Sequence, residues 1–154
     1  GGAADARGAR LGGLRLEAWW RQEARARRRV SGVVFDAGGL IALDRDDRRV
    51  IALCARAQEL GAPITVPATA LAQALRRPAK QARLMRLARQ PTTRLAPLDG
   101  LDATYVGVLL AVSGTADVVD AHVVVCARRS RGPIVTSDPD DLHRLDPTLA
   151  LVVI

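Results

Sequence analysis

Short apolar runs alternate along this chain with longer stretches whose apolar positions recur every three or four residues. Val33-Val-Phe35, Ile64-Thr-Val66, Arg94 to Pro97, Pro133-Ile-Val-Thr136 and Leu149 to Ile154 read as strands. Between them, helical spacing predicts helices over Asp47–Leu60, Ala68–Arg77, Ala79–Gln90, Leu101–Val112 and Asp117–Arg129, with a helical turn over Asp140–Leu145. Stop and start signals agree with these bounds. Asp44 or Asp46 is placed to cap the first helix, Gly61 to end it, Pro67 to open the next and Pro78 to break it. Strands that alternate with helices need right-handed crossovers, so the expected fold class is α/β, a three-layer sandwich around a central, mainly parallel sheet.

The pattern changes ahead of Val33. Residues 1–13 are Gly, Ala and Arg without apolar period, and disorder is expected there. Leu14 to Arg29 has good helix formers, Glu17 four residues before Arg21 and a cationic end, which predicts a short basic amphipathic helix. It holds both tryptophans, Trp19 and Trp20, and a helix so short must dock on something to be stable. The chain thus divides into a basic leader, 1–32, and one folded domain, 33–154.

Composition narrows the picture in three ways. Aromatics make up only 3% of the residues, so the core must be aliphatic helix on aliphatic sheet. Apolar runs are broken well short of the ~18 residues that a membrane span needs, and the first residues lack a signal peptide's apolar stretch; a cytoplasmic protein with no membrane contact is expected. Cys54 and Cys126 sit inside aliphatic helical patterns, away from other ligand-type residues, and read as reduced core residues. The net charge of +7 is uneven: eight arginines against three acids in the leader leave the domain only slightly basic. Basic balance favours polyanionic partners. Lys80, Arg83, Arg86 and Arg89 form a cationic helix face, read either as a solvated surface or as a phosphate contact.

Candidate chemistry lies in the acids. Asp36 ends the first strand ahead of Gly38-Gly39; Asp117 and Asp120 open an apolar helix; Asp138, Asp140 and Asp141 follow the strand at Ile134. In a parallel sheet the loops leaving the carboxyl ends of the strands form the ligand crevice, and if the two strands are neighbours Asp36 and Asp138 converge. Capping explains some of these acids: Asp117 suits an N-cap, and Asp138 before Pro139 is a cap and first-turn signature. It does not explain the set, because clustered carboxylates repel unless a cation neutralises them. Hard oxygen ligands suit Mg²⁺ or Mn²⁺, and the corresponding chemistry is phosphodiester hydrolysis by metal-activated water.

Four stretches, Phe35-Asp36-Ala-Gly-Gly-Leu40, Val66-Pro-Ala-Thr-Ala-Leu-Ala-Gln73, Asp117-Val-Val-Asp-Ala-His-Val-Val124 and Ile134-Val-Thr-Ser-Asp-Pro-Asp-Asp-Leu142, together resemble a PIN-domain ribonuclease, similar to the VapC-type toxins of bacterial toxin–antitoxin modules. The resemblance implies that Asp36, Asp120 and Asp138 are catalytic and hold Mg²⁺ or Mn²⁺, with Asp117 and Asp141 as further acids. Gln73 stands where the family usually has a glutamate; it keeps a carbonyl oxygen for a metal but removes a negative charge. The resemblance further implies an RNA substrate, a cognate antitoxin and a homodimer. It lends the leader a meaning as well: Trp19, Trp20, Arg21 and Arg25 resemble the aromatic and arginine anchors with which such antitoxins dock.

The expected function is that of a divalent-metal-dependent endoribonuclease, the toxin of a toxin–antitoxin pair. The alternative is a PIN-like module that binds RNA or protein without cutting. An aspartyl-phosphate enzyme is disfavoured, since Gly38 stands where such phosphatases place a second aspartate and Lys80 is the chain's only lysine. His122 reads as core or surface rather than ligand, and Thr136 and Ser137 serve the strand and cap as readily as a phosphate.

Overall fold

The computed structural model describes residues 32–154, together with the backbone of Arg10–Leu11 and Leu14–Arg15. Those two dipeptides, β1 (Arg10–Leu11) and β2 (Leu14–Arg15), pair antiparallel with Arg10 opposite Arg15. Arg10–Leu11 is therefore extended where disorder is expected, and Leu14–Arg15 where the expected helix begins; the rest of residues 1–13 lies outside the described residues. Gly-Gly is what separates the two dipeptides in sequence, and two such residues favour a hairpin over a helix. The remainder of that expected helix, with Trp19, Trp20, Arg21 and Arg25, lies outside the described residues.

The domain is built on five parallel strands, β3 (Val33–Phe35), β4 (Ile64–Pro67), β5 (Thr93–Ala96), β6 (Ile134–Thr136) and β7 (Leu151–Val153), in the order β5-β4-β3-β6-β7. Every pairing is parallel, and helices flank the sheet in the expected three-layer α/β sandwich. The chain moves outward from β3 through β4 to β5, then returns to place β6 on the other side of β3. That reversal makes the gap between β3 and β6 the topological switch point, where open parallel sheets bind their ligands.

Among the described residues, seven α-helices connect the strands: α1 (Ala37–Asp44), α2 (Arg48–Glu59), α3 (Ala68–Ala74), α4 (Ala82–Ala88), α5 (Gly100–Ser113), α6 (Val118–Ser130) and α7 (Pro139–Leu145). Helix α1 was not expected. It begins with two glycines, and Ala37, Gly39, Leu40 and Leu43 are buried while Ile41 and Ala42 pack against the core, so its sequence shows no polar face. The cap of α2 is Asp47, whose carboxylate accepts from the Arg49 and Val50 N–H groups, rather than Asp44 or Asp46. The helix expected over 79–90 divides at Gln81 into a 3₁₀ turn, Pro78–Lys80, and α4.

Helix α6 is the centre of the core. Ala121 to Ala127 are buried without a break, because this helix packs against β3 and β4 beneath it and against α3, α5 and α7 around it. Cys54 and Cys126 are free thiols inside this aliphatic packing, and burial pushes them up to about 11 and about 12 respectively, so both remain protonated. No single helix among the described residues is long and apolar enough to cross a membrane.

Candidate acidic site at the sheet switch point

Strands β3 and β6 are neighbours, with Val34 opposite Ile134 and Phe35 opposite Val135. Continuing that register sets Asp36 beside Thr136, and the chain beyond Thr136 reaches Asp138 two residues later. Close approach of α1 to this edge depends on its glycines. A Cβ at Gly38 would stand 2.2 Å from the Ser137 Oγ, and one at Gly39 would stand 2.6 Å from the Val135 carbonyl oxygen. The Ser137 hydroxyl can turn aside, but the Val135 carbonyl is backbone, so a side chain at Gly39 pushes the start of α1, and Asp36 with it, away from the β6 end.

Asp36 is buried, 5% exposed, and caps α1 by accepting from the Gly39 N–H at 2.7 Å. Burial raises its pKa; the Thr136 hydroxyl and the Gly39 N–H partly offset this, and the Asp138 charge adds to it. Asp138 occupies the N-cap position of α7, yet its side chain makes no cap hydrogen bond. Its N–H donates to the Thr136 Oγ1 at 2.9 Å, and the residue is exposed. Thr136, fully buried, thus touches the backbone of one acid and the carboxylate environment of the other.

Asp117 caps α6, accepting from the Asp120 N–H at 2.9 Å. One turn on, the half-buried Asp120 has its pKa raised to about 6, first by burial and then by the charges of Asp117, Asp141, Asp36 and Asp138. Five carboxylates drawn from three different loops therefore lie within electrostatic reach of one another. Contrast Asp146, where burial alone would raise the pKa but Thr148 and the Arg128 guanidinium more than reverse it. Asp146 has a cation and hydrogen bonds; at the switch point Asp141 pairs with Arg144 at 3.3 Å, whereas the side chains of Asp120 and Asp138 have no cation within ion-pair distance among the described residues.

Gln73 is exposed in the last turn of α3, and its side chain makes no hydrogen bond with the described residues. Among those residues, no three His, Cys, Asp or Glu side chains stand close enough together to form a ready-made metal cage. Donor chemistry at the switch point is all oxygen and anionic, which suits a hard cation that keeps several of its waters rather than one stripped by a tight cage.

His122, two residues beyond Asp120, is a core residue. It is fully buried, its Nδ1 is 2.7 Å from the Thr69 Oγ1, and its Nε2 faces the Asp102 carboxylate at 3.8 Å and the Pro97 carbonyl without a good hydrogen bond to either. Burial lowers its pKa. Asp102, 1% exposed, is gripped at both oxygens by Arg129. This buried chain of polar groups ties α3, α5 and α6 together behind Asp120, and nothing in the local spacing of Thr69, Asp102, His122 and Arg129 announces it. Only the packing of three separate helices brings the four residues together.

The class that fold and site define is a parallel α/β sandwich with carboxylates gathered at its switch point. No protein-family model matches the chain, and no curated protein matches it. Among solved structures it is similar to the crystal structure of FitAcB from Neisseria gonorrhoeae, with a TM-score of 0.54 and 17% sequence identity, over 77% of this chain and 95% of that one. At that identity the likeness is one of fold.

Proposed function

We propose that this protein is a divalent-metal-dependent endoribonuclease of the PIN type, with Asp36, Asp120 and Asp138 as its working acids. One observation carries the reading: burial and the charges of four neighbouring carboxylates, Asp117, Asp141, Asp36 and Asp138, push the Asp120 pKa up to about 6. Folding would not gather uncompensated charge in this way for capping alone, since Asp138 makes no cap bond and Asp120 is not a cap. Asp36, Asp120 and Asp138 would hold the cation, with Asp117 and Asp141 adding negative potential at the rim. Mg²⁺ or Mn²⁺ bound there supplies a water that ionises near neutral pH and neutralises charge on a phosphoryl group. The protein's own part is positional. The buried Asp36 is fixed by Gly39, the Asp138 backbone is fixed by Thr136, and the exposed rim admits a phosphodiester from solvent.

A non-cutting module that binds RNA or protein is the second reading, favoured by Gln73 and by the spread of the carboxylates. The four motifs that resemble VapC-type toxins support a cognate antitoxin as partner and a homodimer as the working form, with the Trp19–Arg25 stretch acting as an antitoxin-like inhibitor. Cleavage of a mixed RNA pool in Mn²⁺ tests these readings together. The nuclease reading expects cutting by the full chain, more by a chain starting at residue 31, and none by Asp36→Asn/Asp138→Asn or in chelator. Absence of cutting in every arm would leave the binding module; equal cutting with and without residues 1–30 would remove the leader's inhibitory role.

A further inference from the structure

From Leu60 to Leu98 the chain carries seven basic residues and no acid, in a domain otherwise rich in aspartate. Four of them, Arg76, Arg77, Lys80 and Arg83, belong to the loop between α3 and α4 and to the start of α4. This loop is held by a buried amide. Gln81, 8% exposed, accepts from the Arg76 and Arg77 N–H groups, both at 2.9 Å, and donates to the Ala74 carbonyl at 3.0 Å and the Asp44 carboxylate at 3.2 Å. A side chain that satisfies both its oxygen and its nitrogen on four partners fixes the backbone it spans.

Two of the four cations have partners. Arg76 bonds the Ala72 and Leu75 carbonyls at the end of α3, and Arg83 pairs with Asp46 at 2.5 Å. Arg77 and Lys80 are exposed, and their side chains form no ion pair or hydrogen bond with any described residue. Two unneutralised cations on a backbone held rigid from below form a platform rather than a flexible basic tail. Asp44, which Gln81 grips, closes the helix that Asp36 opens; eight residues at about 1.5 Å each put Asp44, and the amide that holds the platform, about 12 Å along that helix from the acidic site.

We propose that this Gln81-stapled loop binds the sugar–phosphate backbone of single-stranded nucleic acid, with Arg77 and Lys80 each taking a phosphate. The class of partner follows from the chemistry. Cations held at fixed spacing beside a concentrated negative site attract a polyanion to one place and repel it from the other, so a strand anchored on the platform enters the acidic site only where charge is neutralised there. This rests on the nuclease reading for the identity of the strand as substrate, but not for its binding.

The test is equilibrium binding of a fluorescein-labelled oligouridylate in chelator, so that cutting plays no part, at salt concentrations from about 50 to 200 mM. For Arg77→Gln/Lys80→Gln, the slope of log affinity against log salt should shallow by about 1.4, the loss of two single-strand phosphate contacts. The charge-matched control Arg94→Gln/Arg131→Gln alters exposed arginines elsewhere in the fold and should leave the slope nearly unchanged. Equal changes in the two variants, or no change in either, would overturn the platform. Failure of the two readings is distinguishable: a platform slope without any cutting sinks only the nuclease, and cutting that depends on Asp36 without a platform slope sinks only the platform.

Discussion

Asp120 is the residue whose ionisation works against the fold. Its folded pKa of about 6 lies above the ordinary 3.8, so between those values the native state binds more protons than the unfolded chain. Stability therefore falls as pH rises through that window, and the penalty is fully present at neutral pH. Asp120→Asn should remove it. Allowing for solvent screening at a half-exposed position, the gain at pH 7 is on the order of 1 kcal/mol, read by urea denaturation, and it should vanish near pH 4. A gain that is the same at both pH values would mean that Asp120 is not crowded by charge. At this scale the sequence was informative about which acids gather and less so about what each one does. Asp117 is the cap that its position ahead of an apolar run suggests. Asp138 carries the same signature, with Pro139 following, yet its carboxylate makes no cap hydrogen bond, while its own N–H donates to the Thr136 hydroxyl.

Helices, by contrast, were legible where a long run carries its own start and stop signals and hidden where a short one opens on glycines. Helices α2, α5 and α6 follow their apolar spacing and end within a residue or two of expectation, whereas α1 is apolar on nearly all sides and opens on two glycines. Those glycines are there for contact. Gly39→Ala would drive a methyl into the Val135 carbonyl, which is backbone and cannot turn aside. The expected cost is about 1–3 kcal/mol, visible as a lower thermal midpoint, and α1 should shift away from β6. Because Asp36 is the cap of α1, this variant should also lose affinity for divalent cation although every carboxylate is retained. Unchanged stability would show that the helix start has room the structure does not give it. The break at Gln81 was invisible for a different reason: the residue that interrupts the helix is a good helix former, recruited by partners on α1 and α3 that a local reading does not see.

Across the whole molecule, charge is sorted. Acids collect at the switch point between β3 and β6, while the stretch from Leu60 to Leu98 is wholly basic. Strand succession foretold a parallel sheet, but the order β5-β4-β3-β6-β7, and hence the switch point, depends on which side of β3 the later strands join, and no local pattern encodes that. The leader shows the same limit at Leu14–Arg15, which pairs with Arg10–Leu11 as a strand although helix-forming residues follow it in sequence. What joins the acidic site to function is the cation that its charge calls for. Calorimetric titration of Mn²⁺ into the full chain, beside Asp36→Asn/Asp138→Asn, tests that claim most directly, since asparagine keeps the Asp36 cap while removing its charge. One binding event in the native chain, accompanied by proton release near pH 6 and abolished in the double variant, is the predicted result. Equal heats from the two proteins, or none from either, would contradict it.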